Sequence, residues 1–190
     1  MQTALNNDPA RDLPEQSSET TGTVRLHDAL RDQVISSFSS HAPPRGLSME
    51  SATGLRLGES PWSIRPDAFI TLDNGASTTS LFIEVDRSTE RLEIVVRKCL
   101  AYSRLHSAGG FARYCGLPRS EARRCPFRVL FYVKSLARAE NISRALRERA
   151  PQIRSLIWFS SEPASMDPFT IEWRHAGDHA RGPKLSKLLS

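Results

Sequence analysis

Two short apolar runs constrain the fold more than anything else in the chain. Arg128–Lys134 reads RVLFYVK and Ser155–Ser160 reads SLIWFS. A strand with one wet face alternates apolar and polar residues. Near-continuous hydrophobicity over so few positions marks a strand covered on both faces. Between them lies SLARAENISRALRERA, a helical segment stopped by Pro151. Strand, helix, strand predicts a crossover unit in a sheet that carries helices on its surfaces.

The upstream half supplies a different kind of pairing. Arg65–Leu72 and Ser80–Asp86 read as strands joined through Asp73-Asn74-Gly75, a strong hairpin signal. A short strand is expected near Leu55–Leu57, and a last one in FTIEWR, residues 169–174. Leu26, Leu30, Val34 and Phe38 recur every four residues, with Ile35 beside them, and predict a helix ended by Pro43 and Pro44. Ser88 or Thr89 is expected to cap a second helix from near Glu90. Its inner face carries Leu92, Val95, Val96, Cys99 and Ser103, and Gly109-Gly110 ends it. Phe111–Cys125 reads as a basic loop. The resulting order is αβββαβαβ: an α/β domain over residues 23–175, with a mixed central β-sheet flanked by helices. Polar residues 1–22 read as a disordered arm, and residues 176–190 as a basic tail.

Composition narrows the function classes. At 190 residues, 39% hydrophobic and 25% charged, the chain suits one domain with its own core. No run approaches the ~18–20 apolar residues of a membrane span, and MQTALNNDPARD lacks the apolar centre of a signal peptide. A soluble cytoplasmic protein without membrane partners is expected. Cys99, Cys115 and Cys125 have no C-x-x-C spacing and leave one thiol over, which argues against a zinc ribbon or a disulfide scaffold. No P-loop, G-x-G-x-x-G or G-x-S-x-G segment occurs, so nucleotide-binding and serine-hydrolase readings lack support. Net charge is +5 with a pI near 9.5, and arginine outnumbers lysine. Arginine suits bidentate phosphate contacts, so a polyanion such as DNA becomes a candidate partner.

Acidic residues inside the hairpin strands then demand a reason. Glu84 and Asp86 are two apart, hence on one face and about 7 Å apart at Cα. Phe82 shares that face, and Leu81, Ile83 and Val85 take the opposite one with the core. Asp67, after Pro66, starts the preceding strand, and a tight hairpin would bring it beside Glu84 and Asp86. Either these acids face solvent, or Asp67, Glu84 and Asp86 converge on Mg²⁺, or Mn²⁺ in its place, held by hard oxygen ligands. Such an ion activates water and neutralises charge on a phosphodiester. Lys98 is the candidate to hold the attacking water or a phosphate oxygen. Arg91 and Tyr102 lie along the same helix flank, and with Arg65 they are candidates for phosphate contacts. His27, opening the first helix, could reach the site, although a capping or surface role competes. Glu50 and Glu59 are candidates for a further acid.

Arg65-Pro66-Asp67-Ala68, Phe82-Ile83-Glu84-Val85-Asp86-Arg87 with Thr89-Glu90, and then Lys98 and Tyr102 resemble the replication-relaxation family of plasmids and mobile elements. That family is similar to the PD-(D/E)xK nuclease superfamily. The resemblance covers roughly residues 26–160 and its specific part about forty of them. It implies a restriction-endonuclease-like core and Mg²⁺-dependent cleavage or nicking of DNA in replication, relaxation or mobilisation. Partners would be DNA and other replication or mobilisation proteins. Asp67 would be the acid of the PD motif and Glu84 the second ligand. The superfamily has lysine two residues after that acid, where this chain has Asp86. Either Lys98 supplies the missing charge from the following helix, or the fold persists as a catalytically inactive DNA-binding or protein-interaction module. Relatives commonly carry a preceding winged-helix domain, which the short arm here does not provide, so sequence-directed DNA binding by this chain alone is not expected.

Overall fold

The computed structural model describes residues 17–43, 45–58, 62–153, 155–176 and 185, with side chains from residue 27 onward. Its elements follow in the order α1 (Ser17–Ser40), β1 (Ser48–Ala52), β2 (Ala68–Asp73), β3 (Thr78–Asp86), α2 (Leu92–Ser107) and α3 (Gly110–Tyr114). A 3-10 turn over Arg119–Arg124 leads to β4 (Phe127–Val133), α4 (Leu136–Arg149), β5 (Ile157–Ser160) and β6 (Arg174–His175). The six strands lie side by side in chain order, in one sheet. β1, β2 and β3 are antiparallel neighbours, β3, β4 and β5 are parallel, and β6 returns antiparallel to β5. This is the expected mixed sheet flanked by helices.

The central strands are covered on both sides, as their apolar runs require. Seven consecutive residues of β3, Ser80–Asp86, are buried, as are the last five of β4 and all of β5. On one face α2 and α4 pack Val95, Cys99, Ile142 and Leu146 against Phe82, Val129 and Phe131. On the other, α1 lays Val34 and Phe38 over Ile70, Leu81, Ile83 and Leu130. Burying a side chain of this kind stabilises by about 1.5–3 kcal/mol, so both helical layers are held by their apolar stripes. Phe82, Phe111 and Phe127 form an aromatic knot, with ring centroids 5.1–5.3 Å apart.

The hairpin forms where the turn signal stands. Asn74 Oδ1 accepts from Ala76 N and Ser77 N, Asp73 Oδ1 accepts from Gly75 N, and Gly75 sits at φ +80°. Register pairs Ala68 with Ile83, and Asp67 N donates to Ile83 O at 3.0 Å. Asp67 therefore arrives opposite Glu84.

Several local expectations need correction. The first strand lies at Ser48–Ala52 and not at Leu55–Leu57; Leu57 makes only a bridge to Ile64. β1 is a largely exposed edge strand, so it has no buried face to print an alternation on its sequence. Ser88 and Thr89 do not cap α2. Ser88 is left-handed at φ 63° because its N–H donates to Asp86 Oδ1, and the helix starts later with Arg91 at the N-cap position. The stretch read as a basic loop contains α3 and the 3-10 turn, because Phe111 is drawn into the aromatic knot. Of FTIEWR only Arg174 joins β6. The rest folds back to bury Phe169, Ile171 and Trp173 beneath α1.

α1 begins at Ser17, so residues 17–22 extend that helix, adding turns to a formed helix being cheap compared with nucleating one. Residues 1–16 of the expected arm lie outside the described residues. In the expected tail, Ala176 N donates to Ile157 O, and Leu185 is fully buried against the α1 side of the sheet. The other residues of that tail lie outside the described ones.

Candidate active site

β3 alternates as its sequence predicts: Phe82, Glu84 and Asp86 face α2 and α4, and Leu81, Ile83 and Val85 face α1. The acidic face is not wet, however. Glu84 is 2% and Asp86 5% exposed, so each needs a partner.

For Glu84 both partners come from α2, one turn apart. Tyr102 donates its hydroxyl to Glu84 Oε1 at 2.7 Å, and Lys98 Nζ lies 3.3 Å from Oε2. Burial is the largest influence on this carboxyl. It outweighs the attraction of Lys98 and, with the nearby Asp67 carboxylate, pushes the pKa up to about 7. Burial on its own would lower Lys98. The carboxylates of Glu84, Glu90 and Asp67 overcome it and hold the ammonium above the ordinary lysine range. Glu90 Oε2 stands 3.4 Å from Nζ. Tyr102 is buried beside Glu84, which raises its pKa and keeps it a donor.

Asp67 comes near this pair from the start of β2. Its Oδ2 accepts from Val85 N at 2.8 Å. His27, from within α1 and ten residues past its start, donates Nε2 to Val85 O at 3.2 Å and lies 3.6 Å from Asp67 Oδ2. Val85 is thus held at both its backbone N–H and its carbonyl where β3 nears its end. His27 does not open a helix, but it does reach the neighbourhood of the acids.

Asp86 belongs to another cluster. Arg138 of α4 donates Nε to Asp86 Oδ2 at 2.6 Å, and its Nη2 reaches Asp86 Oδ1 at 3.4 Å and Glu90 O at 2.8 Å. With Ser88 N on Oδ1 as well, both oxygens of Asp86 are engaged. This side chain ties the end of β3 to the starts of α2 and α4. Arg138 is the residue that sequence reading missed. An arginine 52 positions from its carboxylate, on an arginine-rich helix, has nothing local to single it out.

The three acids therefore divide two and one, and among the described residues no group of three or more His, Cys, Asp or Glu could hold a metal ion. Mg²⁺ is commonly bound through one or two carboxylates together with waters and substrate phosphates, and of the three acids only Asp67 and Glu84 remain candidates for that role. Asp86 does not fit, because Arg138 occupies it. Among the other candidates, Arg65 is exposed and lines a cavity of about 320 Å³ with Arg56, Ser63 and Lys98 that opens on Glu84 and Tyr102. Arg56 was a second missed residue. Arg91 is exposed at the N-cap of α2 and does not line this cavity. Glu50 is exposed on the edge strand β1, and Glu59 lies outside the described residues. Cys99, Cys115 and Cys125 are free thiols.

The replication-relaxation family model matches residues 16–118, more than half of the chain. The chain belongs to the replication-relaxation family. A role in plasmid or mobile-element replication or relaxation goes with that membership, and with it involvement with DNA or the replication machinery. The replication-relaxation segment contains His27, Asp67, Glu84, Lys98 and Tyr102, the whole of the cluster around Glu84. Arg138 and the strands β4 to β6 lie beyond it. Comparison with curated proteins and with solved structures finds no match. Among the described residues no helix is long and apolar enough to cross a membrane.

Proposed function

We propose that this replication-relaxation domain acts on DNA phosphodiesters, as an endonuclease or nickase of the PD-(D/E)xK type. One observation carries the reading: a buried strand carboxylate, Glu84, is held by Lys98 and Tyr102 where it lines an arginine-flanked cavity, and strand register places Asp67 opposite it. The helix, three-strand meander, helix and parallel strand from α1 to β4 support a restriction-endonuclease-like core. In this reading Asp67 and Glu84 would hold Mg²⁺ or Mn²⁺, which would supply charge neutralisation at the phosphate and lower the pKa of water.

The chain's own groups do the rest. Lys98 turns from Glu84 toward a phosphate oxygen or the attacking water, standing in for the lysine that Asp86 displaces from β3. Tyr102 fixes the Glu84 carboxylate by donating to Oε1. Arg56 and Arg65 meet the backbone phosphates at the cavity rim. Arg138 and Asp86 position the end of β3 without touching substrate. Nicking of supercoiled plasmid tests this: wild type should act with Mg²⁺ or Mn²⁺, and Asp67→Ala and Lys98→Met should each lose on the order of 10²-fold or more. Equal rates for wild type and Asp67→Ala would sink the catalytic reading.

A second reading, a catalytically inactive DNA-binding or interaction module, is favoured by a different feature. Both Glu84 oxygens already accept from protein donors, so the acid is neutralised from within. It expects salt-sensitive DNA binding that ignores divalent ions, and no cleavage.

A further inference from the structure

A second cavity, of about 560 Å³, lies along α2 beyond the Glu84 pocket. Both are lined by Arg56 and Ala101, so the two cavities adjoin at those side chains in a cleft along α2. Its floor is a flank of α2. Lys98, Ala101, Leu105 and Ala108 follow at helical spacing, and the two alanines leave the room. From Lys98 to Ala108 this flank runs about 15 Å at the helical rise.

Its lining joins guanidinium groups with aromatic rings. Arg104 Cζ sits 3.6 Å over the centre of the Trp62 ring. Tyr114 is 53% exposed, and its inner face is backed by Phe111 at 5.8 Å and 18° between ring planes. The ring is thus stacked from behind and open in front. Arg113 Nη1 donates to Ala108 O, and Arg56 Nε donates to Ser63 Oγ. Among the described residues no carboxylate pairs with Arg56, Arg104 or Arg113, and none lines this outer cavity.

Cations with no carboxylate partner among the described residues, interleaved with flat rings along a cleft, suit a polyanion that carries exposed π-faces. Duplex DNA presents phosphates but keeps its base faces stacked inside, where Tyr114 cannot meet them. A single strand offers both. We propose that this cleft seats an unpaired DNA strand, with bases stacking on Tyr114 and on the Arg104–Trp62 pair and phosphates met by Arg56 and Arg113. The proposal deepens the reading above by naming the form of the substrate, and it rests on that reading only for where the strand leads: past Arg56 to Glu84 and Lys98.

Fluorescence anisotropy of the full chain with a labelled oligo-dT strand, in EDTA, tests it without any cleavage. The strand should bind more tightly than a duplex of equal length. Tyr114→Ala should weaken strand binding roughly tenfold and leave duplex binding unchanged, whereas Tyr114→Phe, which keeps the ring, should bind like wild type. Arg113→Ala should reduce the salt slope of strand binding by about 0.7. Equal strand affinity for wild type and Tyr114→Ala, or a duplex that binds as well as the strand, would overturn the proposal. Strand preference in the wild type that Tyr114→Ala abolishes supports it even if plasmid nicking fails. Nicking by a protein with no strand preference overturns it and leaves the catalytic reading standing.

Discussion

Replacing Glu84 with glutamine should uncouple the stability of the fold from pH over one particular window. The carboxyl ordinarily titrates at 4.5 and in the folded chain is pushed up to about 7, chiefly by burial. Between those values the native protein keeps a proton that the unfolded chain has already lost. Glu84 therefore contributes its full share of stability below 4.5, and that share is lost as pH rises through 7. At about 1.4 kcal/mol per pH unit, the interval corresponds to roughly 3 kcal/mol. Glutamine has the shape of the protonated acid and does not titrate, so it escapes the loss. Urea unfolding of both proteins from pH 5 to 8.5 measures the effect, and taking the difference cancels every titration they share. Over this range the gap should move by roughly 2.5 kcal/mol in favour of Glu84→Gln as pH rises and then flatten. That is on the order of 1 M in urea midpoint. Parallel curves across the window would refute the claim that desolvation outweighs Lys98 at this carboxyl.

Arg138→Met should destabilise by about 3–5 kcal/mol, since it leaves the Asp86 carboxyl buried without its ion-pair partner; Asp86→Asn in the same chain should recover much of it, as a double-mutant cycle in urea would show. Phe82→Ala should cost about 3–5 kcal/mol by emptying the centre of the aromatic knot, again read from unfolding midpoints. Tyr102→Phe removes a hydrogen bond that lowers the Glu84 pKa, so the acid titrates higher still, and the onset of metal-dependent nicking should move to more alkaline pH. An unmoved pH profile would show that ionised Glu84 is not needed for the reaction.

The sheet was legible from the chain wherever burial writes itself into local pattern. RVLFYVK and SLIWFS carry no polar alternation because both faces of β4 and β5 are covered, and Asn74-Gly75 turns the hairpin with its own side chain and backbone. β1 and the segment before β6 were misplaced for the opposite reason. β1 is an exposed edge with no inner face, and FTIEW is apolar because it packs under α1, not because it pairs as a strand. Apolar character reports burial, and burial by folding back looks the same in sequence as burial within a sheet.

For the candidate site, sequence alone determined which side chains share a face: Glu84 and Asp86 sit with Phe82 because strands alternate with period two, and the hairpin puts Asp67 opposite Glu84. What only the tertiary structure decided is the environment of each acid. α2 closes over Glu84 with Lys98 and Tyr102, and α4 brings Arg138 to Asp86, so neighbours on one strand end in separate clusters. Periodicity fixes direction along a strand, but the partner waiting there is set by helices that return from 14 to 52 residues away.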